Sequence, residues 1–270
     1  MEVVIQPTAE AATMVAVRLL AGLIRQKPDA VLGLATGATP LRLYWELAAL
    51  KLDWRRIKTF NLDEYVGVGP EHPQSYHSFM WKNLFNRVNI AKPNVHIPDG
   101  LAKDIPGFCK KYEKQIRTAG GIDLQLLGIG TDGHIGFNEP SSSLASRTRI
   151  NMLTRQTRRD NARFFGSEER VPHHAITMGI GTILESRHCV LLAFGKRKAR
   201  AVAEAIEGPV TAMHPASALQ LHPKVTVFLD EPAAAELKLK HYYRRVYDYK
   251  PDWQKERPMR LLHSSILVVL

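Results

Sequence analysis

The chain has 270 residues, of which 45% are hydrophobic and 23% are charged, so it is long enough to bury a sizeable core. It contains no apolar run of about 18 residues, and its N-terminus lacks the basic and then apolar pattern of a signal peptide. These features exclude a membrane span and favour a cytoplasmic protein, in which we expect Cys109 and Cys189 to be reduced thiols.

The formal net charge is +11, and much of the excess lies after Leu237, in a stretch rich in lysine and arginine. No helix-turn-helix pattern, zinc-ligand spacing or RNA-binding aromatic motif accompanies it. We therefore expect no nucleic-acid partner, because a basic field that attracts a small anionic substrate accounts for the charge equally well.

Short apolar runs alternate with helix-like segments along the chain, which predicts an α/β fold with a mainly parallel sheet and helices on both faces. We find no linker-like composition and no internal repeat, so we expect a single domain, 1–240, and a basic tail of unknown structure, 241–270. The predicted strands are 31–34, 59–62, 122–127, 189–194 and 225–229, and the predicted helices are 41–50, 79–88, 107–118, 198–206 and 233–240.

Active sites in such sheets lie at the carboxyl ends of the strands, so the residues after each strand are the most informative. The turn after the first predicted strand consists of Thr36, Gly37, Ala38 and Thr39, where Thr39 suits a helix N-cap and Pro40 the first helical turn. Such a turn presents N–H groups to an anion, although an ordinary capped turn has the same pattern.

Charged side chains follow two further strands. Asp63 and Glu64 come after the second predicted strand, and they suit either a general base or the acidic start of a helix. Basic residues up to Lys198 open another helix against its dipole, and an anion there would relieve the repulsion. Arg163 is a second candidate cation, and the alternative for both side chains is a solvated surface charge.

The segment 128–143, GIGTDGHIGFNEPSSS, gathers the carboxylates of Asp132 and Glu139 around the imidazole of His134. A histidine titrates near neutral pH, and flanking carboxylates orient its ring and raise its pKa, which suits acid–base chemistry. The alternative is a polar turn with a satisfied histidine. The other histidines are scattered without familiar ligand spacing, so we expect no bound metal.

Taken together, these segments closely resemble the glucosamine-6-phosphate deaminase family, also called the glucosamine/galactosamine-6-phosphate isomerase family. The likeness extends from about residue 5 to 240 in unbroken order. It is carried by LGLATGATP, TFNLDEYVGV, HPQSYHSFM, GIGTDGHIGFNEP, SSLASRTRI, TRRDNARFF, ITMGIGTIL and LQLHPKVTVFLDEPAAAEL. The resemblance implies a Rossmann-like sheet and the conversion of glucosamine 6-phosphate and water into fructose 6-phosphate and ammonia, without a metal or an organic cofactor.

The resemblance also implies the roles of individual residues. The family's proton acceptor corresponds to Asp63, and its ring-opening group corresponds to Asp132, His134 and Glu139. Its phosphate cradle corresponds to the turn 36–39 together with Arg163 and Lys198.

The chain departs from the family pattern in two places. Activated members have a second phosphosugar site between subunits, which matches Ser142 and Arg149 and includes a lysine where this chain has Asn151. We therefore predict little or no activation by N-acetylglucosamine 6-phosphate. The tail, which ends LLHSSILVVL, has no match, and both a packed strand and an exposed end stay open for it. Family members occur as monomers and as larger assemblies, so a homo-oligomer also stays open.

Two other classes of protein have similar features. The 6-phosphogluconolactonases share the fold, but their DGH turn usually continues into residues like HTASLFP, whereas here IGFNEP follows and LDEYVG lies upstream. A sugar-phosphate sensor domain would need a DNA-binding motif before the fold, and the intact acid–base set argues against an inactive pocket. We therefore expect an enzyme of the deaminase class.

Overall fold

The computed structural model describes residues 1–251, which form ten strands and eight α-helices. Seven strands make one sheet and three make a second. The end of the predicted tail, including its last eight residues, lies outside the described residues. Within residues 1–251, none of the helices has the length and apolar character needed to cross a membrane.

The large sheet consists, in spatial order, of β1 (Glu2–Gln6), β10 (Val225–Asp230), β9 (Cys189–Ala193), β6 (Leu124–Gly128), β2 (Val31–Leu34), β3 (Lys58–Asn61) and β5 (Val95–His96). All neighbouring pairs are parallel, which confirms the predicted α/β fold. The five predicted strands are its five inner strands, each within two residues of the expected bounds. The two edge strands, β1 and β5, were not predicted.

The helices are α1 (Ala9–Gln26), α2 (Leu41–Ala49), α3 (Tyr76–Asn83), α4 (Ile105–Thr118), α5 (Arg155–Phe165), α6 (Ile180–Leu184), α7 (Ala199–Glu207) and α8 (Lys240–Asp248). Buried side chains of α1, α2 and α3 form one core with the sheet, and those of α4, α6 and α7 form a second. Helices thus cover both faces of the sheet, as the alternating sequence pattern predicts.

Two predicted helices have different bounds in the structure. The helix predicted at 79–88 is α3, which begins earlier because the Ser75 hydroxyl caps it by accepting the Ser78 N–H at 2.9 Å. The helix predicted at 233–240 is wrong, because 231–239 forms turns and α8 begins only at Lys240. There the Glu207 carboxylate accepts the backbone N–H groups of 238 and 239, which a continuous helix would have used internally.

The second sheet is antiparallel, in the order β4 (Asp63–Tyr65), β8 (His174–Thr177) and β7 (Arg149–Met152). It is joined to the large sheet at Leu62, which separates β3 from β4. The Leu62 N–H donates to Leu34 O at 3.0 Å, and its carbonyl accepts the Met178 N–H at 2.7 Å. This junction places the first residue of β4 at the carboxyl edge of the large sheet.

The first part of the predicted basic tail packs on the large sheet. Helix α8 lies against the edge strand β1, with Tyr243 packed on the core of one face and Tyr247 on the core of the other. Just beyond this helix, Lys250 Nζ lies 2.8 Å from Glu2 Oε1.

Candidate active site

The loops after β2, β3 and β6 meet at the carboxyl edge of the large sheet, as expected for parallel strands. Gly136 approaches Asp63 so closely that an added Cβ would lie 3.4 Å from Asp63 Oδ2. The Tyr76 hydroxyl, from α3, bonds with the side chain of Thr36 in the turn after β2. The structure therefore brings together the predicted base, the histidine segment and the predicted phosphate turn.

Asp63 is the first residue of β4, where it pairs with Thr177, and only 5% of it is exposed. Burial raises the pKa of its carboxyl to about 8, the charge of Glu64 adds to the rise, and the charge of His134 opposes it. A carboxylate with such a raised pKa is a stronger base than an exposed aspartate, and perturbed groups of this kind are concentrated at functional sites.

Glu64 makes different contacts from its neighbour. Its carboxylate accepts the backbone N–H groups of Tyr65 at 2.9 Å, Tyr76 at 3.0 Å and His77 at 2.9 Å. Two of these residues open α3, so Glu64 holds the positive end of that helix dipole. Burial raises the pKa of Glu64 to about 7 although these bonds favour the carboxylate. The sequence left both readings open for Asp63 and Glu64, and the structure shows that Glu64 is the acid at the helix start.

The histidine segment forms a compact acid–base cluster of Asp132, His134 and Glu139. His134 Nδ1 lies 2.7 Å from Asp132 Oδ1 and 3.6 Å from Glu139 Oε2. Burial disfavours the imidazolium, but the contact with Asp132 and the two negative charges outweigh it, so the pKa of His134 is raised. Burial likewise opposes ionisation of Asp132, yet the bond and charge of His134 lower its pKa to about 2. The pKa of Glu139 is raised, chiefly by burial.

Glu139 is held from the opposite side by the start of α5. Its Oε1 accepts the Thr154 N–H at 3.1 Å, and its Oε2 accepts the Thr154 hydroxyl at 3.3 Å. Thr154 is the N-cap of that helix, so the carboxylate lies at the positive end of the helix dipole. Thr154 was not predicted from the sequence, where its one signal was the N-cap pattern of a threonine before a helix.

Two glycines allow the histidine turn to close. A Cβ at Gly130 would overlap the ring of His134. Gly133 has a φ of +86°, and a Cβ there would lie 2.5 Å from Cδ2 of His214. The Gly133 carbonyl also accepts the Ala216 N–H at 2.8 Å. His214 therefore packs directly on the turn, and no local motif in the sequence indicated this long-range contact.

The predicted phosphate turn lies at the N-terminus of α2, and Gly37 in it has a φ of +108°. The prediction of Thr39 as the N-cap is wrong: the Leu41 N–H donates to Ala38 O at 3.4 Å, so the turn closes one residue later, at Pro40. Within the described residues no side chain caps this helix. Beyond the Leu41 N–H, which the turn uses, the next N–H groups of the helix are therefore available to an anion.

Of the two candidate cations, Lys198 lies close to the acid–base cluster. Lys198 lies just before α7. Burial lowers the pKa of its ammonium. The charge of Arg163 lowers this pKa further, and the charge of Asp132 raises it. The Lys198 charge also acts on His134. Arg163, in the last turn of α5, is exposed, and its guanidinium lies 4.7 Å from the ring centre of Phe164. Phosphate binding by these two residues stays a prediction.

The residues that match the family's second site line a separate pocket of about 580 Å³, which Glu139 also lines. Arg149 donates to Ser142 Oγ at 3.0 Å and to Asn138 Oδ1 at 2.8 Å, so its guanidinium is engaged within the protein. Asn151 lies in the same pocket wall. An effector site at Ser142 and Arg149 stays a prediction.

The acid–base cluster also offers three metal-ligand atoms within 4.8 Å of one another, from Asp132, His134 and Glu139. Ligands at about 2.1 Å from a tetrahedral zinc ion lie roughly 3.4 Å apart. His134 Nδ1 and Asp132 Oδ1 are closer, at 2.7 Å, an ion-pair contact in which the two atoms lack hydrogen-bond geometry. This pair is therefore closer together than two ligands of a tetrahedral zinc ion.

Known proteins are similar to this chain over most of its length. The family model of glucosamine-6-phosphate isomerases/6-phosphogluconolactonase matches residues 6–228. A glucosamine-6-phosphate deaminase of Arthrobacter sp. (strain FB24) is 58% identical and that of Streptomyces avermitilis 56% identical, each over 94% of this chain and 99% of the relative.

A solved monomeric glucosamine-6-phosphate deaminase is 46% identical, with a TM-score of 0.86 over 87% of this chain and 100% of that one. A 6-phosphogluconolactonase from Thermotoga maritima is 26% identical, with a TM-score of 0.67 over 85% and 100%.

The chain therefore belongs to the glucosamine-6-phosphate isomerase/6-phosphogluconolactonase family, which confirms the resemblance seen in the sequence. Relatives that share 50–58% of its residues are named glucosamine-6-phosphate deaminases.

We expect Asp63→Asn to stabilise the protein in alkaline solution. The folded-state pKa of Asp63, about 8, lies above the ordinary value, so its contribution to stability is lost as pH rises from about 4 through 8. At about pH 8.5 the variant should gain about 1 kcal/mol or more in free energy of unfolding relative to the unmodified chain, and the gain should shrink at about pH 4.5. Urea unfolding at both pH values measures it, and a gain that is equal at both would contradict the raised pKa.

Proposed function

We propose that this chain is an enzyme that converts glucosamine 6-phosphate and water into fructose 6-phosphate and ammonia in amino-sugar catabolism. The observation that carries the proposal is the close approach of the buried Asp63 to the segment that holds the Asp132, His134 and Glu139 cluster. It is supported by deaminase relatives that share more than half of their residues with this chain over nearly their whole length.

In this proposal the reaction begins with opening of the pyranose ring. The acid–base cluster delivers a proton from His134 to the ring oxygen and removes the proton of the anomeric hydroxyl. Asp132 and Glu139 orient the imidazole, and their charges raise its pKa and so favour its protonated form. The product is an open-chain aldehyde that carries the amine at C2.

Asp63 then removes the proton from C2 and returns a proton to C1. The electrons of the C2–H bond form a C1–C2 double bond, and the π electrons of the C1 carbonyl move to its oxygen, which takes back the proton that the acid–base cluster removed. This gives an enolamine, and protonation at C1 gives the imine of the ketose. Water adds to C2 of the imine, and ammonia leaves. The raised pKa of Asp63 strengthens it as the base, and close positioning supplies the rest of the rate enhancement.

Positioning comes from the phosphate at the far end of the open chain. We propose that the turn 36–39, at the uncapped start of α2, binds it together with Lys198 and Arg163. Lys198 lies within range of the charge of Asp132, and its ammonium therefore links the phosphate site to the acid–base cluster.

Lactone hydrolysis is the alternative within the family, and it would need no base at C2. The deaminase structure is 46% identical to this chain and the lactonase structure 26% identical, so we favour deamination. We further propose that the enzyme acts in the cytoplasm without a nucleic-acid partner, in keeping with Cys109 and Cys189, which are both buried and free.

The activity is tested by ammonia release from glucosamine 6-phosphate. We expect the unmodified chain to release ammonia and Asp63→Asn to turn over at least about 100-fold more slowly, because the base at C2 is lost. Asp29→Asn, which changes an exposed aspartate before β2, is the matched control and should keep full activity. Near-normal turnover by a folded Asp63→Asn protein would contradict the assignment of Asp63 as the base.

The phosphate anchor is tested by Lys198→Ala and Arg163→Ala. A charge-assisted hydrogen bond to an anion is worth roughly 1.5–3 kcal/mol, so KM should rise about tenfold or more for each variant. Lys111→Ala removes an exposed charge from α4 and should leave KM unchanged. If glucosamine without its phosphate reacted as well as the 6-phosphate, the anchor hypothesis would fail.

We also propose that the enzyme is not activated by N-acetylglucosamine 6-phosphate. Arg149 is bonded to Ser142 and Asn138, and the neutral Asn151 stands where activated members have a lysine. Allosteric coupling is typically only about 1–3 kcal/mol, so one missing charge removes most of it. Initial rates should be hyperbolic with or without the effector. Sigmoidal rates that become hyperbolic on its addition would contradict this, and a solution mass with and without it would show any accompanying assembly.

A further inference from the structure

The segment 136–141, which carries Glu139, is bent at both ends. Gly136 has a φ of +57° and Ser141 a φ of +77°. The left-handed region is disfavoured for a residue with a side chain, and such conformations persist only where the surroundings hold them. The position of Glu139 therefore depends on contacts from outside the segment.

The contacts at the start of the segment come from the antiparallel sheet, whereas the Ser141 N–H donates to Ala212 O at 2.8 Å. Thr177 Oγ1, in β8, accepts the Phe137 N–H at 3.0 Å, and Asn151 Nδ2, in β7, donates to Phe137 O at 2.7 Å. Arg149, also in β7, donates to Asn138 Oδ1 at 2.8 Å. The two residues that precede the glutamate are thus each tied to this sheet.

We infer that Asn151 is a positioning residue for Glu139 that acts through the carbonyl of Phe137, an inference that rests on the proposed function. The carbonyl and the glutamate are two residues apart on a segment whose far end, Ser141, has a disfavoured φ, so loss of the bond lets the segment relax. Glu139 then moves from its 3.6 Å contact with His134 Nδ1. The Asn151 amide thereby helps to hold the proton-delivering groups in place, although it does not itself take part in the reaction.

The bonds of Glu139 itself limit how far it can move. Its carboxylate keeps the two bonds to Thr154 when Asn151 is changed, so the cluster is loosened rather than lost. A graded loss of turnover follows, without a change in how the phosphate is bound, since the turn 36–39 and Lys198 lie on other elements.

The first test is Asn151→Ala, measured as ammonia release from glucosamine 6-phosphate. We expect kcat to fall about three- to tenfold, the effect of one lost hydrogen bond, with KM changed less than about twofold. Ile150→Thr changes the exposed neighbour on the same strand and should keep kcat, which controls for damage to β7. An unchanged kcat in Asn151→Ala, or a loss that appears in KM alone, would overturn the inference. Should the alanine variant not fold, Asn151→Ser carries the same expectation, because its hydroxyl is too short to reach the carbonyl.

The second test is a double-mutant cycle with Glu139→Gln. If Asn151 acts through the Glu139 carboxylate, Asn151→Ala should lower kcat less than about twofold further once that carboxylate is gone. An equal loss in both backgrounds would mean that Asn151 acts elsewhere. Absence of ammonia release from the unmodified chain would refute the proposed function instead, so the two failures are distinguishable.

Discussion

Burial of the Asp63 carboxyl disfavours its ionised form, and the groups around it determine how far this is offset. His134 is the positive charge that favours ionisation, while Glu64 opposes it. The same attraction favours the protonated form of His134. A base must be ionised and an acid protonated before the proposed reaction can start. The attraction between Asp63 and His134 favours both states, but burial and Glu64 outweigh it at Asp63 and leave the pKa of that carboxyl at about 8. The interaction of Asp63 with His134 therefore couples the proposed base to the proposed acid across the junction of the two sheets.

Helix α5 connects the two ends of the site. Its N-cap, Thr154, binds the carboxylate of Glu139, and its last turn carries Arg163, the exposed candidate for the phosphate. Between them Asp160 accepts a hydrogen bond from the Thr131 hydroxyl at 3.3 Å, so the middle of the helix also contacts the histidine turn. A displacement of this helix would alter the contacts of Glu139 and the position of Arg163, the candidate for the phosphate, at once.

The sequence predicted the inner strands of the large sheet because continuous apolar runs are a strong signal, whereas the edge strand β5 has only two residues. The strands of the antiparallel sheet were missed because they are short and mix polar with apolar residues. Within the site, the grouping of Asp132, His134 and Glu139 was predictable from their proximity in the chain. The different contacts of Glu64 and the contributions of Thr154, Asn151 and His214 were not, because they arise from elements distant in sequence.

The position of α8 has a consequence for how copies of the chain behave towards one another. An edge strand presents unpaired N–H and C=O groups on which another chain can form a further strand, a common route to aggregation. Here the helix straddles the outer edge at β1, with one tyrosine packed on each face of the sheet. A segment beyond the part of the chain that the family model matches thus covers one edge of the sheet against pairing with a strand of another copy.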